Sequence, residues 1–240
     1  MLKIYICACK DKQYLKEAKI CIDSLRKNGQ FHGLIYLLTD IPQFLEKLHF
    51  DLTNVEVIKV KCGSNKMSAV LRTRFFHYIE NYDTNDIFLY LDTDIVVVKP
   101  LPSFNSIGDK IQVYGYNSVT QKSNSFSGNI TKDPYFTSKP GICSGILLFR
   151  PSLKVENVFD ETYELYKKLL AEDKVLGCWE QPALCYKLIE HQMYNISLND
   201  YVVEKRGGEH SFDKKPDTYI FVHFCGRRGP KRVGMMKEYL

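Results

Sequence analysis

Only one of the 240 residues is a tryptophan, and the eight cysteines (7, 9, 21, 62, 143, 178, 185 and 225) contain no Cys-x-x-Cys pair. The missing pair argues against a zinc site or a redox motif. Thiols scattered through apolar segments read as buried cysteines of a reducing compartment, not as a disulfide frame. No window approaches about 18 uninterrupted apolar residues, so a membrane-spanning helix is not expected. The opening stretch Met1 to Lys10 is too short for a signal-peptide core and is followed by no small-residue cleavage site. A cytoplasmic location is therefore expected, with the sequons at Asn129 and Asn195 unmodified. There is no internal repeat and no low-complexity segment. Nor is there a long basic run: the net charge of +5 is mild and dispersed, which suits a protein that meets phosphates locally and disfavours a nucleic-acid partner.

What is present suits a folded α/β protein. The hydrophobic fraction is 45% and the charged fraction 25%, which together argue against disorder. At this length one domain is the simplest organisation. Residues 2–8 form an apolar run suited to a buried parallel strand, and Leu15, Ala18, Ile22 and Leu25 then recur at helical spacing until Asn28-Gly29. Strands are expected at 34–38 and 55–60, with a short helix over 43–48 between them, and a longer helix over 66–82. A further apolar strand over 86–91 runs into Asp92-Thr93-Asp94. The chain resumes as Ile95 to Val98. Alternation of this kind implies a Rossmann-like, mostly parallel sheet flanked by helices. Residues 117–140 turn polar and predict a long irregular loop. A strand at 143–149, helices over 153–170 and 179–190, and a short strand at 219–222 leading to His223 complete the pattern, in a basic, Gly-containing tail.

Asp92 and Asp94 carry the clearest chemical signal. They lie at the C-terminal end of an apolar strand, where open α/β sheets place ligand crevices. Carboxylates at i and i+2 of an extended segment point to one side, as an oxygen-seeking divalent cation requires if it is also to bind phosphate. A bare D-x-D is common and an acidic turn would explain it. Here, however, the pair interrupts what should be buried sheet, and burying carboxylates without a partner is costly.

With Leu89-Tyr90-Leu91-Asp92-Thr93-Asp94-Ile95 as its most specific segment, the chain resembles the glycogenin-like retaining glycosyltransferases of family eight, with the GT-A fold. Three further segments carry the resemblance: Cys9 to Tyr14 after the first strand, Cys143-Ser144-Gly145-Ile146 with the later Glu180-Gln181, and His223-Phe224-Cys225-Gly226. The resemblance implies a manganese or magnesium ion held by Asp92, Asp94 and His223, and a UDP-sugar donor contacted by Ala8, Cys9, Tyr14, Thr93, Ser144, Gly145 and Gly226. It places Glu180 and Gln181 near the anomeric carbon. It also divides the domain into a nucleotide-binding half, 1–100, and a sugar- and acceptor-binding half, 101–240, ending in a phosphate-contacting tail. The acceptor would be a hydroxyl of a glycan, protein or small molecule, and a homodimer is compatible with all of this.

Three departures from the family pattern matter. Cys143 and Glu180 replace the family's Asn and Asp, and Arg227-Arg228-Gly229-Pro230-Lys231 stands where a Lys-Pro-Trp is expected. The phosphate-contacting cation of the tail is then Arg228 or Lys231. Upstream of the D-x-D, Arg72 and Arg74 compete for a donor-contacting and catalytic role. Helical geometry favours Arg74, which shares a stripe with Met67, Val70, Leu71 and Tyr78. Each site residue has a plainer explanation as well: a core histidine at 223, helix surface at Tyr14, helix capping at Glu180 and a solvated basic tail. Two other functions compete: a sugar-nucleotide-forming nucleotidyltransferase, disfavoured because Cys7 to Lys12 contains no Gly-rich phosphate loop, and a catalytically silent sugar-nucleotide-binding module.

The cysteine pattern makes a direct prediction. Freshly prepared protein should titrate with close to eight free thiols in denaturant; a count near zero would show that the cysteines are paired.

Overall fold

A computed structural model describes residues 1–104, 107–174, 177–205, 219–226 and 229–240, with backbone only for 117–119. In chain order the strands and α-helices are β1 (Leu2–Cys7), α1 (Lys12–Lys27), β2 (Ile35–Thr39), β3 (Val55–Lys59), α2 (Asn65–Ala69), α3 (Phe75–Tyr78), β4 (Ile87–Leu91), β5 (Ile95–Val97) and β6 (Ile111–Thr120), followed by α4 (Pro134–Thr137), β7 (Pro140–Phe149), α5 (Leu153–Ala171), α6 (Gln181–Glu190), β8 (Tyr194–Asn195), β9 (Val202–Glu204), β10 (Phe221–His223) and α7 (Pro230–Lys237). A seven-stranded sheet has the order β3-β2-β1-β4-β7-β6-β8, and a second sheet has the order β5-β10-β9. This is the mixed α/β class expected.

The chain resolves into two compact units, each assembled from separated segments. One, here the β1 unit, comprises 2–63, 90–105 and 199–240; the other, the β7 unit, comprises Met1, 64–89 and 106–198. The halves expected from the sequence, 1–100 and 101–240, do not coincide with them.

In the β1 unit, β1, β2 and β3 pair in parallel, with Ile4 opposite Ile35 and Ile35 opposite Val55. β2 is buried along its whole length, as a strand covered on both faces should be, whereas β3 at the sheet edge exposes Glu56 and Lys59. The expected stripe of α1 is buried at Leu15, Ala18, Ile22 and Leu25. Asp11 caps its start, accepting from the Gln13 N–H at 2.8 Å. Ser24, also buried, serves two partners: its hydroxyl donates to the Cys21 carbonyl at 2.7 Å and accepts from the Val97 N–H at 2.9 Å. That second bond holds the edge of β5 against the helix.

In the β7 unit, β6 and β7 pair antiparallel with two register shifts, and β8 adds in parallel to β6. Phe75, Phe88, Phe149 and Phe159 pack edge to face beside them, with centroids 4.4–5.2 Å apart.

Three local expectations are corrected. The continuous helix over 66–82 is broken into α2, a 3₁₀ segment at 70–74 and α3, and it ends where Ile79 becomes extended. Within the break the Thr73 hydroxyl donates to the Val70 carbonyl at 2.8 Å, a local bond of the kind that competes with regular helix. The loop over 117–140 is instead largely structured: β6 runs to Thr120, a 3₁₀ turn covers 127–129, α4 covers 134–137 and β7 begins at Pro140. Its polar composition comes partly from caps, such as Asp133 accepting from the Tyr135 N–H at 2.8 Å. The last helix before residue 190 begins at Gln181, not 179, because Trp179 sits at φ +51°. All eight cysteines are free thiols. Among the described residues no helix is long and apolar enough to cross a membrane.

Ser24→Ala would leave the buried Val97 N–H unsatisfied. Urea unfolding should show a loss of about 1–3 kcal/mol, and an unchanged midpoint would mean that the Ser24 bridge contributes nothing.

Candidate active site

Strand pairing in the β1 unit assembles the acidic site. β10 runs antiparallel to β5, placing His223 opposite Ile95, and the Phe224 N–H donates to the Asp94 carbonyl at 2.9 Å. The histidine predicted 129 positions downstream of Asp94 thus arrives beside it by ladder register; its Nε2 lies 3.3 Å from Asp94 Oδ1. Asp92, Asp94 and His223 bring one ligand atom each within 4.8 Å of one another. Asp94 Oδ1 is buried and is paired with the His223 imidazole. Two carboxylates and one imidazole converging in this way form a group that could hold a divalent cation. Around it, the Tyr90 hydroxyl donates to Asp92 Oδ1 at 2.5 Å, and Glu204, across the β9–β10 ladder, faces His223 Nδ1 at 3.7 Å.

Two residues that the sequence had not singled out complete this centre. Arg232 of α7 is buried and donates from Nη1 to Asp94 Oδ2 at 2.6 Å. It also grips Glu17 of α1 bidentately, from Nε to Oε1 at 2.8 Å and from Nη2 to Oε2 at 2.7 Å. Burial opposes ionisation of Asp94, yet His223 and Arg232 outweigh it and hold the carboxyl below its ordinary range. The signal for Glu17 was available: positions 17, 21 and 24 share the inward stripe of α1, and an acid there needs a partner.

The β7 unit holds a second buried polar cluster. Arg72 donates from Nη1 to the Ser144 carbonyl at 2.6 Å, and its Nε lies 3.0 Å from Glu180 Oε1. The Ser144 N–H donates to Gln181 Oε1 at 3.1 Å, and Gln181 Nε2 donates to the Ser125 carbonyl at 3.0 Å. Glu180 makes no capping bond to α6, so the capping explanation does not apply. Of the two arginines, the favoured Arg74 is not the one in this cluster. Arg74 turns to the exposed Asp160 at 2.9 Å and stacks on Tyr163, while Arg72 enters the cluster. The physical reason is the 3₁₀ segment: three residues per turn replace 3.6, so the stripe predicted from an α-helix rotates out of register.

The remaining sequence candidates are placed as follows. Ala8 and Cys9 are buried after β1, where burial raises the Cys9 thiol to about 12, and Tyr14 is half-buried on the first turn of α1. Thr93 is buried and its hydroxyl meets Glu17 Oε2 at 3.3 Å. Gly145 is buried in β7, its N–H meeting Cys143 Sγ at 3.4 Å. Gly226 sits at φ +83°, a conformation that favours glycine. Lys231 is exposed at the start of α7, and Arg228 lies outside the described residues. Glu161, Glu190 and His191 also cluster, but they are exposed and Lys187 supplies their cation at 2.8 and 2.6 Å.

The fold is shared with a bifunctional glycosyltransferase, WbbM, solved in its apo form: TM-score 0.63 at 14% identity over 99% of this chain. The chain spans about half of that structure's length, 48%. Comparison with curated proteins found no match. The profile described as glycosyl transferase family 8 matches residues 5–230, and the chain belongs to that family.

The two arginines upstream of the D-x-D should separate cleanly by mutation. Arg72→Met removes the guanidinium paired with the buried Glu180 and should cost about 3–5 kcal/mol in chemical unfolding. Arg74→Ala loses a pair with an exposed partner and should cost at most about 1 kcal/mol. Equal losses would contradict the placement of Arg72.

Proposed function

We propose that this member of glycosyl transferase family 8 is a metal-dependent hexosyltransferase, moving a hexose from a UDP-sugar to a hydroxyl acceptor with retention of configuration. The observation that carries the reading is the convergence of Asp92, Asp94 and His223, one ligand atom each within 4.8 Å of one another. Asp92, Asp94 and His223 would hold the cation. Two carboxylates and one imidazole suit manganese, with magnesium the alternative. A bound cation would supply Lewis-acid stabilisation of the departing diphosphate.

The chain's own residues supply the rest. Tyr90 orients Asp92, and Arg232 holds Asp94 by one oxygen, so both carboxylates are preset before any ligand arrives. On the sugar side, the family resemblance puts Ser144, Gly145, Glu180 and Gln181 at the donor hexose. Arg72 is paired with the Glu180 carboxylate and would orient it. Gln181 is fixed from both ends of its amide, which favours a positioning role over proton transfer. The bond from the anomeric carbon to the β-phosphate breaks while the acceptor oxygen bonds on the same face. The hydroxyl proton leaves with the phosphate.

The test is calorimetry of UDP binding with and without manganese. Asp94→Ala should abolish the metal-dependent part while circular dichroism stays unchanged, and full retention of that part would end the metal assignment. His223→Ala should behave alike. If His223→Ala instead unfolds about 1–3 kcal/mol more easily yet binds Mn-UDP normally, His223 is a core histidine. Manganese-dependent hydrolysis of a donor would exclude a silent binding module.

A further inference from the structure

One guanidinium in the β1 unit is divided between two acids. Arg232 uses all three of its nitrogens, two on Glu17 at 2.8 and 2.7 Å and one on Asp94 at 2.6 Å. Glu17 is fully buried and is steadied by Thr93 and Gln13, each at 3.3 Å. Only a carboxylate can take the two parallel bonds that Arg232 gives it, so most of the guanidinium's hydrogen bonding is committed to Glu17. Asp94 receives the remainder at Oδ2, and its Oδ1 is left facing the triad. The negative charge available at Oδ1 therefore depends on how Arg232 is shared. Remove Glu17, and an undivided positive charge faces Asp94. Remove Arg232, and Asp94 regains both oxygens and its full charge.

We propose that Glu17 and Arg232 are positioning residues that set the divalent-cation affinity of the Asp92–Asp94–His223 triad, Glu17 by sharing the Arg232 charge and Arg232 by partly neutralising Asp94 through its Oδ2. The inference rests on the metal assignment of that triad. Its chemical sense is that a site with one aspartate partly neutralised binds a bare cation weakly and needs diphosphate oxygens to complete the shell, so cation and donor are retained together. It also gives α1, which follows β1, and the C-terminal helix α7 a shared hold on the metal ligand.

The experiment measures binding of Mn²⁺ alone, without nucleotide, by loss of the free-ion signal in electron paramagnetic resonance, with urea unfolding recorded on the same samples. Glu17→Gln should weaken Mn²⁺ binding about tenfold, and Arg232→Met should tighten it by a similar factor. The double variant Glu17→Gln/Arg232→Met should bind more tightly than the wild type, because the effect of Glu17 passes through Arg232 and vanishes without it. Glu17→Asp, which keeps the charge, should stay within about threefold of the wild type. A merely structural salt bridge would lower folding stability in both single variants and move the affinity of the folded protein in neither, or in the same direction in both. Either outcome overturns the proposal. If a single variant does not fold, the double variant and Glu17→Asp decide it: a double variant no tighter than the wild type refutes it. Asp94→Ala is the control for the underlying assignment. Unchanged Mn²⁺ binding there means that the triad is not the site, whereas abolished binding with unmoved Glu17 and Arg232 variants sinks this inference alone.

Discussion

Negative charge at the end of an apolar strand is the constraint around which the β1 unit is built. β4 delivers Asp92 and Asp94 out of buried sheet, and α1 adds the fully buried Glu17. Three acids in so little water need positive charge, because removing ions from solvent costs several kcal/mol each unless partners replace the lost hydration. Arg232 answers from 138 residues beyond Asp94 and 215 beyond Glu17. The C-terminal segment is consequently core and not appendage: Val222, Phe224 and Met236 are buried in one cluster with Ile20 and Val96. Closing so long a loop adds little entropy cost compared with a shorter one, since the cost grows only logarithmically.

The β7 unit meets the same problem by a different route. Glu180 is almost fully buried at the start of α6, and Arg72 reaches it from a 3₁₀ segment also fixed through Ser144. An ion pair of this kind is a poor source of stability compared with packed hydrocarbon, since desolvation consumes most of the Coulomb gain. Its use lies in geometry: Glu180, Gln181 and the Ser144 backbone are locked to one another by bonds of 2.6–3.1 Å. A family motif read as separate fragments, a strand with Ser-Gly and a helix with an acid-Gln pair, is one hydrogen-bonded object.

Much of this was legible in the sequence, and the failures have physical causes. β1, α1, β2, β3 and β4 follow from apolar periodicity, since each presents a regular pattern to a single environment. His223 was legible because a short apolar strand led into it, and ladder register does the rest. Arg74 does not share the inward stripe because the chain winds with three residues per turn there, where an α-helix would have 3.6. The region 117–140 looked irregular because caps and bulges use the same Ser, Asn and Asp that loops use. Arg232 stayed hidden for another reason: a basic residue in a basic tail gives no local sign of burial, and its partners lie far away in the chain. Glu17 could have been found, because it interrupts an inward-facing stripe.

Seen together, Glu17, Asp94 and Asp92 are not equivalent. Glu17 is saturated, with both oxygens on Arg232 and further donors from Thr93 and Gln13. Asp94 is half satisfied, and Asp92 accepts from Tyr90 on one oxygen. Among these bonds, saturation is greatest at the buried helix, and the remaining Asp94 oxygen faces the imidazole. Were the gradient reversed, with Glu17 unsatisfied and Asp94 saturated, the same residues would make a stable fold with no ligand site. Preset donors behind the ligating oxygens spare the protein a rearrangement when a ligand arrives, which is how polar sites hold geometry through binding and reaction. The division of one guanidinium between two carboxylates is therefore the point at which the stability of this fold and the chemistry of its candidate metal site become the same question.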